Sequence, residues 1–381
     1  MSKLPYNILT ISWDPTLAMD KPDFGDAQKR NIEYGQHVQN IHSITYSKQS
    51  LKLKDKQLSD NVFVYPTNSK NQLIFVSDAY KIASKIIEKH KIDMVLTQDP
   101  FLTGLVGSKI KKKFGIKLLI HFHGDFFANK QWLQESWFNY PMLWLGKRVV
   151  RKADAIRVMS QGIKIKLIKF GLAESIIRVI PTPVDLSKFF INKDQTTTKD
   201  KKVVLSIGRL VLAKDFPTLI EAVKKVRKIR QDFVLRIVGG GPEHNKLKKL
   251  IAKLDYIDLA GYVDHDDLPL EFQKCDLFVL SSTNESFGKV LVEANACAKP
   301  VVSTATTGAQ EIVQDGHNGF LVPIKDSQAM ADKILYLLDH PEKIKQMGSN
   351  GRRLMEEKFA NSTKKIIDFW YEIINDNKKN R

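Results

Sequence analysis

Residues 277–294 read LFVLSSTNESFGKVLVEA, and this stretch decides the fold. The apolar run Leu277–Leu280 predicts a buried strand. A short polar loop follows it, and Gly288–Ala298 then predicts a helix. A strand that leads through a short loop into a helix is the repeating unit of a parallel α/β sheet. The sequence therefore predicts an α/β fold around this stretch.

The same alternation of short apolar runs and longer amphipathic runs extends along the chain, as in parallel sheets with crossover helices. Strands are predicted at Tyr6–Trp13, Ile41–Ser47, Val62–Pro66, Asp93–Thr97, Lys117–Phe122, Ala155–Met159, Ile177–Ile180, Val203–Ile207, Val234–Val238, Ile257–Leu259, Leu277–Leu280, Val301–Ser303 and Phe320–Val322. Helices are predicted at Ala79–His90, Thr103–Phe114, Gln161–Phe170, Pro217–Ile229, His244–Leu254, Leu268–Cys275, Gly288–Ala298 and Ser327–Leu338, with a last helix through Trp370 and Tyr371.

The polar stretch Asn192–Lys202 has no apolar periodicity and predicts an interdomain linker. We expect an N-terminal Rossmann-like domain over 1–190, a linker over 191–202, a C-terminal Rossmann-like domain over 203–360, and a C-terminal helix and tail over 361–381. Two open α/β domains that face each other leave a cleft, and ligands of such sheets bind outside the carboxyl ends of the strands. Loops that follow strands are therefore the place to seek chemistry.

The composition suits a two-domain protein of a reducing compartment. The chain has 381 residues and is 43% hydrophobic, enough for two cores. Its two cysteines, Cys275 and Cys297, form neither a disulfide framework nor a paired metal motif. Residues 1–20 lack the features of a signal peptide, and no uncharged apolar stretch is long enough for a spanning helix. We expect a cytoplasmic protein.

The formal net charge of +18 lies mostly in the first half of the chain. Such a charge suits nucleic acid, an anionic membrane surface or an anionic substrate, and a solvated lysine-rich surface also explains it. Nucleic-acid binding has only charge in its favour: the lysines at 109 and 111–113 lie on a predicted amphipathic helix without an aromatic stacking series. No nucleic-acid partner is expected.

The two glutamates of the opening stretch, Glu285 and Glu293, flank the start of the predicted helix. Free N–H groups and the positive end of the helix dipole make such a start an anion site. Two carboxylates beside it can accept hydrogen bonds from hydroxyls. A diphosphate joined to two polyols, a ribose and a sugar, matches this pattern. The alternative is an ordinary helix cap with an acidic face.

Two further loops follow predicted strands. Gly208, Arg209 and, five residues later, Lys214 offer close backbone approach, a planar guanidinium and a point charge, which suit a diphosphate. The loop 239–243 reads GGGPE and is not a dinucleotide fingerprint, because His244 stands where the third glycine belongs. A dehydrogenase on a double Rossmann frame would need that fingerprint, so the sequence disfavours one.

Together these segments resemble a known family. The order GRL…K, GGGPE, GYV, ESFGKVLVEANACAKPVV and GAQEIVQDGHNGFLV, from Val203 to about Val322, resembles the retaining nucleotide-sugar glycosyltransferases of family 4. The resemblance implies the GT-B fold: two Rossmann-like α/β domains facing across a cleft, with a C-terminal helix packing back on the N-terminal domain. Ser286 and Ala309 each replace a glycine that is frequent in the family.

The resemblance also implies roles for site residues. Arg209 and Lys214 would hold the donor diphosphate, and Glu293 would bind the ribose hydroxyls. Glu285 would contact the transferred sugar, and Arg209, Lys214, Glu285 and His123 are expected to act in catalysis. Further donor contacts are implied for Gly208, Gly239, Tyr262, Val263, Phe287, Gly288, Lys289 and Val290.

The first half matches the family less closely. His123 precedes Gly124 after a predicted strand and resembles the family histidine near the donor sugar, and His121 lies on the same face. Gly25 and Asp26 resemble the glycine loop after the first strand, without its double glycine, and would face the donor phosphates. The segment 180–185 resembles the part of the family pattern before the linker and is interpreted as a hinge.

Asp264-His265-Asp266 is a DxD motif, which binds metal in another glycosyltransferase fold. It falls in a polar turn before a predicted helix, where lone acidic pairs are usually solvated, so we expect no metal site and no cofactor. A sugar phosphorylase or an epimerase of the same fold is a rival, since fold does not fix function. A phosphorylase would keep a lysine for its cofactor, and no such motif is present.

The expected activity is therefore that of a metal-independent hexosyltransferase that retains the anomeric configuration. It would move a sugar from a nucleotide diphosphate sugar to a saccharide or lipid-linked acceptor, in polysaccharide assembly. An aromatic-rich stretch from Phe126 to Trp144, followed by Lys147 and Arg148, favours peripheral binding to the anionic inner face of the plasma membrane. The alternative is a basic nucleic-acid- or membrane-surface-binding protein without transferase activity.

Overall fold

The computed structural model describes residues 3–20, 27–189, 201–359 and 361–376. The chain divides into two compact units. The first comprises Met1–Ala128, Ser136–Ile180 and Thr363–Arg381, and the second comprises Asn129–Glu135 and Pro181–Ser362. Gly25 and Asp26 lie outside the described residues, as does the predicted linker over 191–202 apart from its last two positions.

The first unit contains an eight-stranded sheet in the order β3-β4-β2-β1-β5-β6-β7-β8. Its strands are β1 Leu4–Ser12, β2 Val38–Thr45, β3 Lys56–Ser59, β4 Val62–Pro66, β5 Met94–Thr97, β6 Lys117–Phe122, β7 Ala155–Val158 and β8 Ile177–Val179. Its helices are α1 Ala27–Gly35, α2 Gln72–Lys89, α3 Leu102–Phe114, α5 Asn139–Val149, α6 Gln161–Lys169 and α14 Ser362–Asn375. Every neighbouring pair is parallel except β3 and β4.

The C-terminal helix α14 packs on this first sheet. Ile366, Ile367, Trp370 and Ile373 recur at helical spacing and are buried in one cluster with apolar residues of the strands. Thr363 donates a hydrogen bond to Glu33 of α1, 2.6 Å away. The packing of the C-terminal helix on the N-terminal domain, which the family resemblance implied, is confirmed.

The second unit contains a six-stranded parallel sheet in the order β11-β10-β9-β12-β13-β14. Its strands are β9 Lys202–Ile207, β10 Phe233–Val238, β11 Ile257–Gly261, β12 Leu277–Leu280, β13 Val301–Thr304 and β14 Gly319–Val322. Its helices are α4 Lys130–Glu135, α7 Phe216–Arg227, α8 His244–Ile251, α9 Leu268–Lys274, α10 Lys289–Ala296, α11 Ala309–Ile312, α12 Ser327–Asp339 and α13 Pro341–Phe359.

Both sheets follow the Rossmann order, so the predicted fold class is confirmed. In the second unit, the chain adds β10 and β11 on one side of β9. It then returns and adds β12, β13 and β14 on the other side. The order therefore reverses between β9 and β12, and ligands bind at such a switch point. Within the described residues, no helix has both the length and the apolar character that crossing a bilayer requires.

Candidate functional site

The loops after β9 and β10 lie against each other at the carboxyl edge of the second sheet. The amide of Gly208 donates to the carbonyl of Val238 over 3.0 Å, and the amide of Leu210 donates to that of Gly240 over 2.9 Å. Gly239 has φ +149°, and a Cβ there would lie 1.9 Å from the carbonyl oxygen of Gly208. Only glycine fits this position, where Gly239 lies directly against Gly208.

The turn that carries Lys214 is fixed to the loop after β12. The hydroxyl of Ser281 donates to the carbonyl of Lys214 over 2.8 Å, and the amide of Thr283 donates to that of Ala213 over 2.8 Å. The Lys214 ammonium contacts the Glu285 carboxylate, and both side chains are largely buried. Two residues that lie 71 positions apart in the chain thus form one ion pair.

The loop Glu285–Gly288 is held by the segment after β13. The amide of Gly308 donates to the carbonyl of Glu285 over 2.8 Å, and a Cβ at 308 would lie 2.3 Å from the amide nitrogen of Phe287. Gly288 adopts φ +85° just before α10, so this helix begins one residue later than predicted. The amides of Phe287 to Val290 therefore lie where the chain turns into the helix, and such amides can hold an anion.

Glu293 lies in α10, with only 4% of its side chain exposed. His265 Nε2 lies 3.0 Å from its Oε1, and Lys289 Nζ lies 3.6 Å from the same oxygen. A carboxylate buried this deeply needs hydrogen-bond or charge partners, which these two residues supply. The sequence assigned His265 no role beyond its place in the DxD motif, and in the structure its ring faces Glu293.

Tyr262, Val263 and Arg209 are the remaining second-unit residues that the sequence assigned to the site. Tyr262 and Val263 follow Gly261, whose carbonyl accepts a 2.7 Å hydrogen bond from the amide of Gly239. Tyr262 is exposed, and its hydroxyl donates to Asp264 over 3.1 Å. Arg209 is exposed, and in the described part of the chain its guanidinium makes no hydrogen bond or ion pair. That guanidinium can therefore bind a ligand without first breaking a contact.

Sequence reasoning missed Asn284, which precedes Glu285. The side chain of Asn129 donates to its Oδ1 over 3.2 Å, and Glu135 also hydrogen-bonds to it. Asn129 precedes the short helix α4 and Glu135 is its last residue; the sequence did not predict this helix. The only sequence signal was that Asn284 is polar and adjoins Glu285, and this did not indicate which residues it would contact.

His123 lies in the first unit, at the carboxyl end of β6. Its Nε2 lies 2.6 Å from the Gln98 side-chain oxygen, and its ring centroid lies 5.5 Å from that of His121. Desolvation, then Arg157 and Arg30, lower the pKa of His123 to about 3. A neutral ring donates or accepts hydrogen bonds without carrying charge.

His121 is buried, with 3% of its surface exposed. The Arg157 guanidinium donates to its Nδ1 over 3.4 Å and donates through Nε to the Ile180 carbonyl over 2.7 Å. Desolvation, Arg157 and His123 all lower the pKa of His121 well below its usual value. The two histidines therefore stay neutral beside a buried cation.

Family models match both halves of the chain. The model for Glycosyl transferases group 1 matches residues 187–354, and the model for Glycosyltransferase Family 4 matches residues 41–188. The first match spans every second-unit residue that the sequence assigned to the site. It includes the loops after β9, β10 and β12 and all of α10.

Individual proteins agree with these matches. An uncharacterized glycosyltransferase of Methanocaldococcus jannaschii is 30% identical over 74% of this chain and 76% of its own length. The capsular polysaccharide biosynthesis glycosyltransferase CapM of Staphylococcus aureus is 29% identical over 58% of this chain and 62% of its own. The structure of Anabaena HepE in complex with UDP-glucose matches with a TM-score of 0.75 and 22% identity, covering 96% of this chain and 99% of that one.

Proposed function

This chain belongs to glycosyltransferase family 4, a GT-B family, and we propose that its second unit binds a nucleotide diphosphate sugar whose sugar passes to a saccharide or lipid-linked acceptor. The observation that carries this proposal is the ion pair between Glu285, just before α10, and Lys214, which follows β9 on the same segment as Arg209. Anabaena HepE binds UDP-glucose on the same fold. CapM acts in capsular polysaccharide biosynthesis, which supports a role in glycan assembly.

In the proposed reaction, the bond between the anomeric carbon and the phosphate breaks, and negative charge builds on the departing nucleoside diphosphate. Arg209, Lys214 and the first amides of α10 would stabilise that charge. These groups supply positive charge from the protein itself. We therefore propose that transfer needs no metal ion.

Each carboxylate would have a separate partner. Glu293 would accept hydrogen bonds from the ribose hydroxyls, and Glu285, next to Lys214, would contact the transferred sugar. His123, held neutral, would serve as a hydrogen-bonding group and not as a proton donor of ordinary pKa. A basic binding protein without transferase activity is not favoured, because it would need none of these contacts.

We propose that the product keeps the anomeric configuration of the donor. The leaving phosphate would help to deprotonate the acceptor hydroxyl on the same face of the sugar. The configuration of the product, read by NMR from the anomeric coupling constant, tests this step. Retention supports the proposal, and an inverted product would exclude it while leaving the donor site intact.

The first unit also supports peripheral membrane binding as a second proposal. Trp137 and Trp144, before and within α5, are 79% and 60% exposed. The Arg148 guanidinium lies 3.3 Å from the centre of the Trp144 ring, so charge and aromatic surface occur side by side. Such a surface suits the headgroup region of an anionic bilayer.

A further inference from the structure

The Glu293 carboxylate makes its contacts through one oxygen. His265 Nε2 lies 3.0 Å from Oε1 and Lys289 Nζ lies 3.6 Å from it. In the described ranges, no hydrogen bond or ion pair reaches Oε2. One face of the carboxylate is therefore engaged by protein, and the other oxygen remains for a ligand.

His265 and Lys289 also contact each other, with 3.1 Å between Nε2 and Nζ. An imidazole nitrogen either donates or accepts, so Nε2 cannot both donate to Glu293 and accept from Lys289. The protons that link His265, Lys289 and Glu293 can therefore be arranged in more than one way. The Glu293 carboxylate remains in place in each of them because at least one cation or donor faces Oε1.

The loop that carries His265 is itself fixed. The amide of Asp267 donates to the carbonyl of Asp264 over 3.0 Å, and Lys188 pairs with Asp266 over 3.0 Å. The buried ring of Phe189 lies edge-on to the His265 ring, with 6.0 Å between centroids. A ring anchored by its loop and by an aromatic neighbour can hold a partner side chain in one rotamer.

From these contacts we propose that His265 is a positioning residue for Glu293. It fixes Oε1 so that Oε2 faces the ribose diol of the bound nucleotide, and it thereby sets the preference of the site for ribose. This inference rests on the proposed function, since it needs a nucleotide in the site. It also gives a role to a side chain that sequence reasoning placed in a motif without chemistry.

Calorimetry tests the proposal with UDP and GDP and with their 2′,3′-dideoxy forms, on the full chain. The Kd of the dideoxy nucleotide divided by the Kd of the ribonucleotide measures how much the contact between the diol and Glu293 strengthens binding. His265→Ala should reduce that ratio about three- to tenfold while changing the dideoxy Kd less than about twofold. His265→Gln keeps an N–H that can reach Oε1 and should restore most of the ratio, and His340→Asn is the matched control.

A double-mutant cycle separates positioning from a general effect. If His265 acts through Glu293, His265→Ala should have no further effect on the ratio in a Glu293→Gln background. Two results would overturn the inference even though nucleotides still bind. One is an unchanged Kd ratio in His265→Ala, and the other is an equal effect of His265→Ala on that ratio with and without Glu293→Gln. If neither UDP nor GDP binds the wild type, the proposed function fails and the inference falls with it.

Discussion

The Lys214 ammonium and the Glu285 carboxylate form an ion pair at the switch point of the second sheet, between the loops after β9 and β12. Both groups come from a site proposed to bind a charged donor. A diphosphate that takes hydrogen bonds from Lys214 must compete with Glu285, or share the lysine with it. The pair would therefore link donor binding to the position of Glu285, the carboxylate proposed to contact the transferred sugar.

Neutralising one member of this pair should separate binding from transfer. Glu285→Gln removes the competitor and keeps a polar side chain, so the Kd for the nucleoside diphosphate should change less than about threefold while the transfer rate falls at least about a hundredfold. Lys214→Ala should raise that Kd about tenfold or more. Lys224→Ala, which removes a half-buried lysine paired with Glu221, is the control. Full transfer by Glu285→Gln would remove Glu285 from the reaction.

Two adjacent glycines predict opposite outcomes. A Cβ at Gly239 would lie 1.9 Å from the Gly208 carbonyl oxygen, whereas one at Gly240 would meet nothing nearer than the Tyr262 Cβ at 3.7 Å. Gly239→Ala should displace the loop after β9 and weaken donor binding at least about tenfold. Gly240→Ala should bind the donor within about threefold of wild type. Equal behaviour of the two variants would contradict the described packing of these loops.

Buried neutral histidine should make the first unit sensitive to acid. The folded pKa of His121 is depressed, so below about pH 6.5 the unfolded chain binds a proton that the folded chain does not. Its contribution to stability is complete above that pH and is lost as the pH falls, at up to about 1.4 kcal/mol per pH unit. Urea unfolding gives the free energy of unfolding at each pH between 7.5 and 5.5. This free energy should fall less steeply with decreasing pH for His121→Asn than for wild type. A slope that does not change in His121→Asn would argue against a neutral buried ring.

Membrane binding should depend on both rings and charge around α5. We expect the protein to float with anionic liposomes at low salt, and Trp144→Ala and Arg148→Ala each to reduce the floated fraction. Ile229→Ala removes an exposed apolar side chain of the second unit and should have no effect. Failure of the wild type to float at low salt would exclude the membrane proposal.

The sequence predicted the parallel strands well because short apolar runs mark buried strands. Val62–Pro66, Lys117–Phe122 and Leu277–Leu280 have the observed bounds. The edge strand β3, Lys56–Ser59, was missed because its lysine, glutamine and serine lack the apolar pattern. Helix α13 was missed as well, although it spans Pro341–Phe359, because its charged face and two buried glycines obscure the apolar stripe.

Within the site, residue types were predictable and most partners were not. The sequence singled out Arg209, Lys214 and Glu285 because they follow strands and Glu293 because it lies in the next helix, and the family resemblance implied their roles. It could not show that Lys214 contacts Glu285, because that contact depends on how two loops 71 positions apart pack on each other. The contact of His265 with Glu293 was hidden for the same reason: a turn after one strand meets a helix that follows another.

The most direct test of the proposed donor site is binding and hydrolysis of UDP-, GDP- and ADP-sugars in EDTA, with wild type beside Arg209→Ala and Glu293→Ala. We expect one donor to bind and to be slowly hydrolysed without metal, and both variants to weaken its binding at least about tenfold. If no donor binds, or if both variants match the wild type, the proposed donor site is wrong.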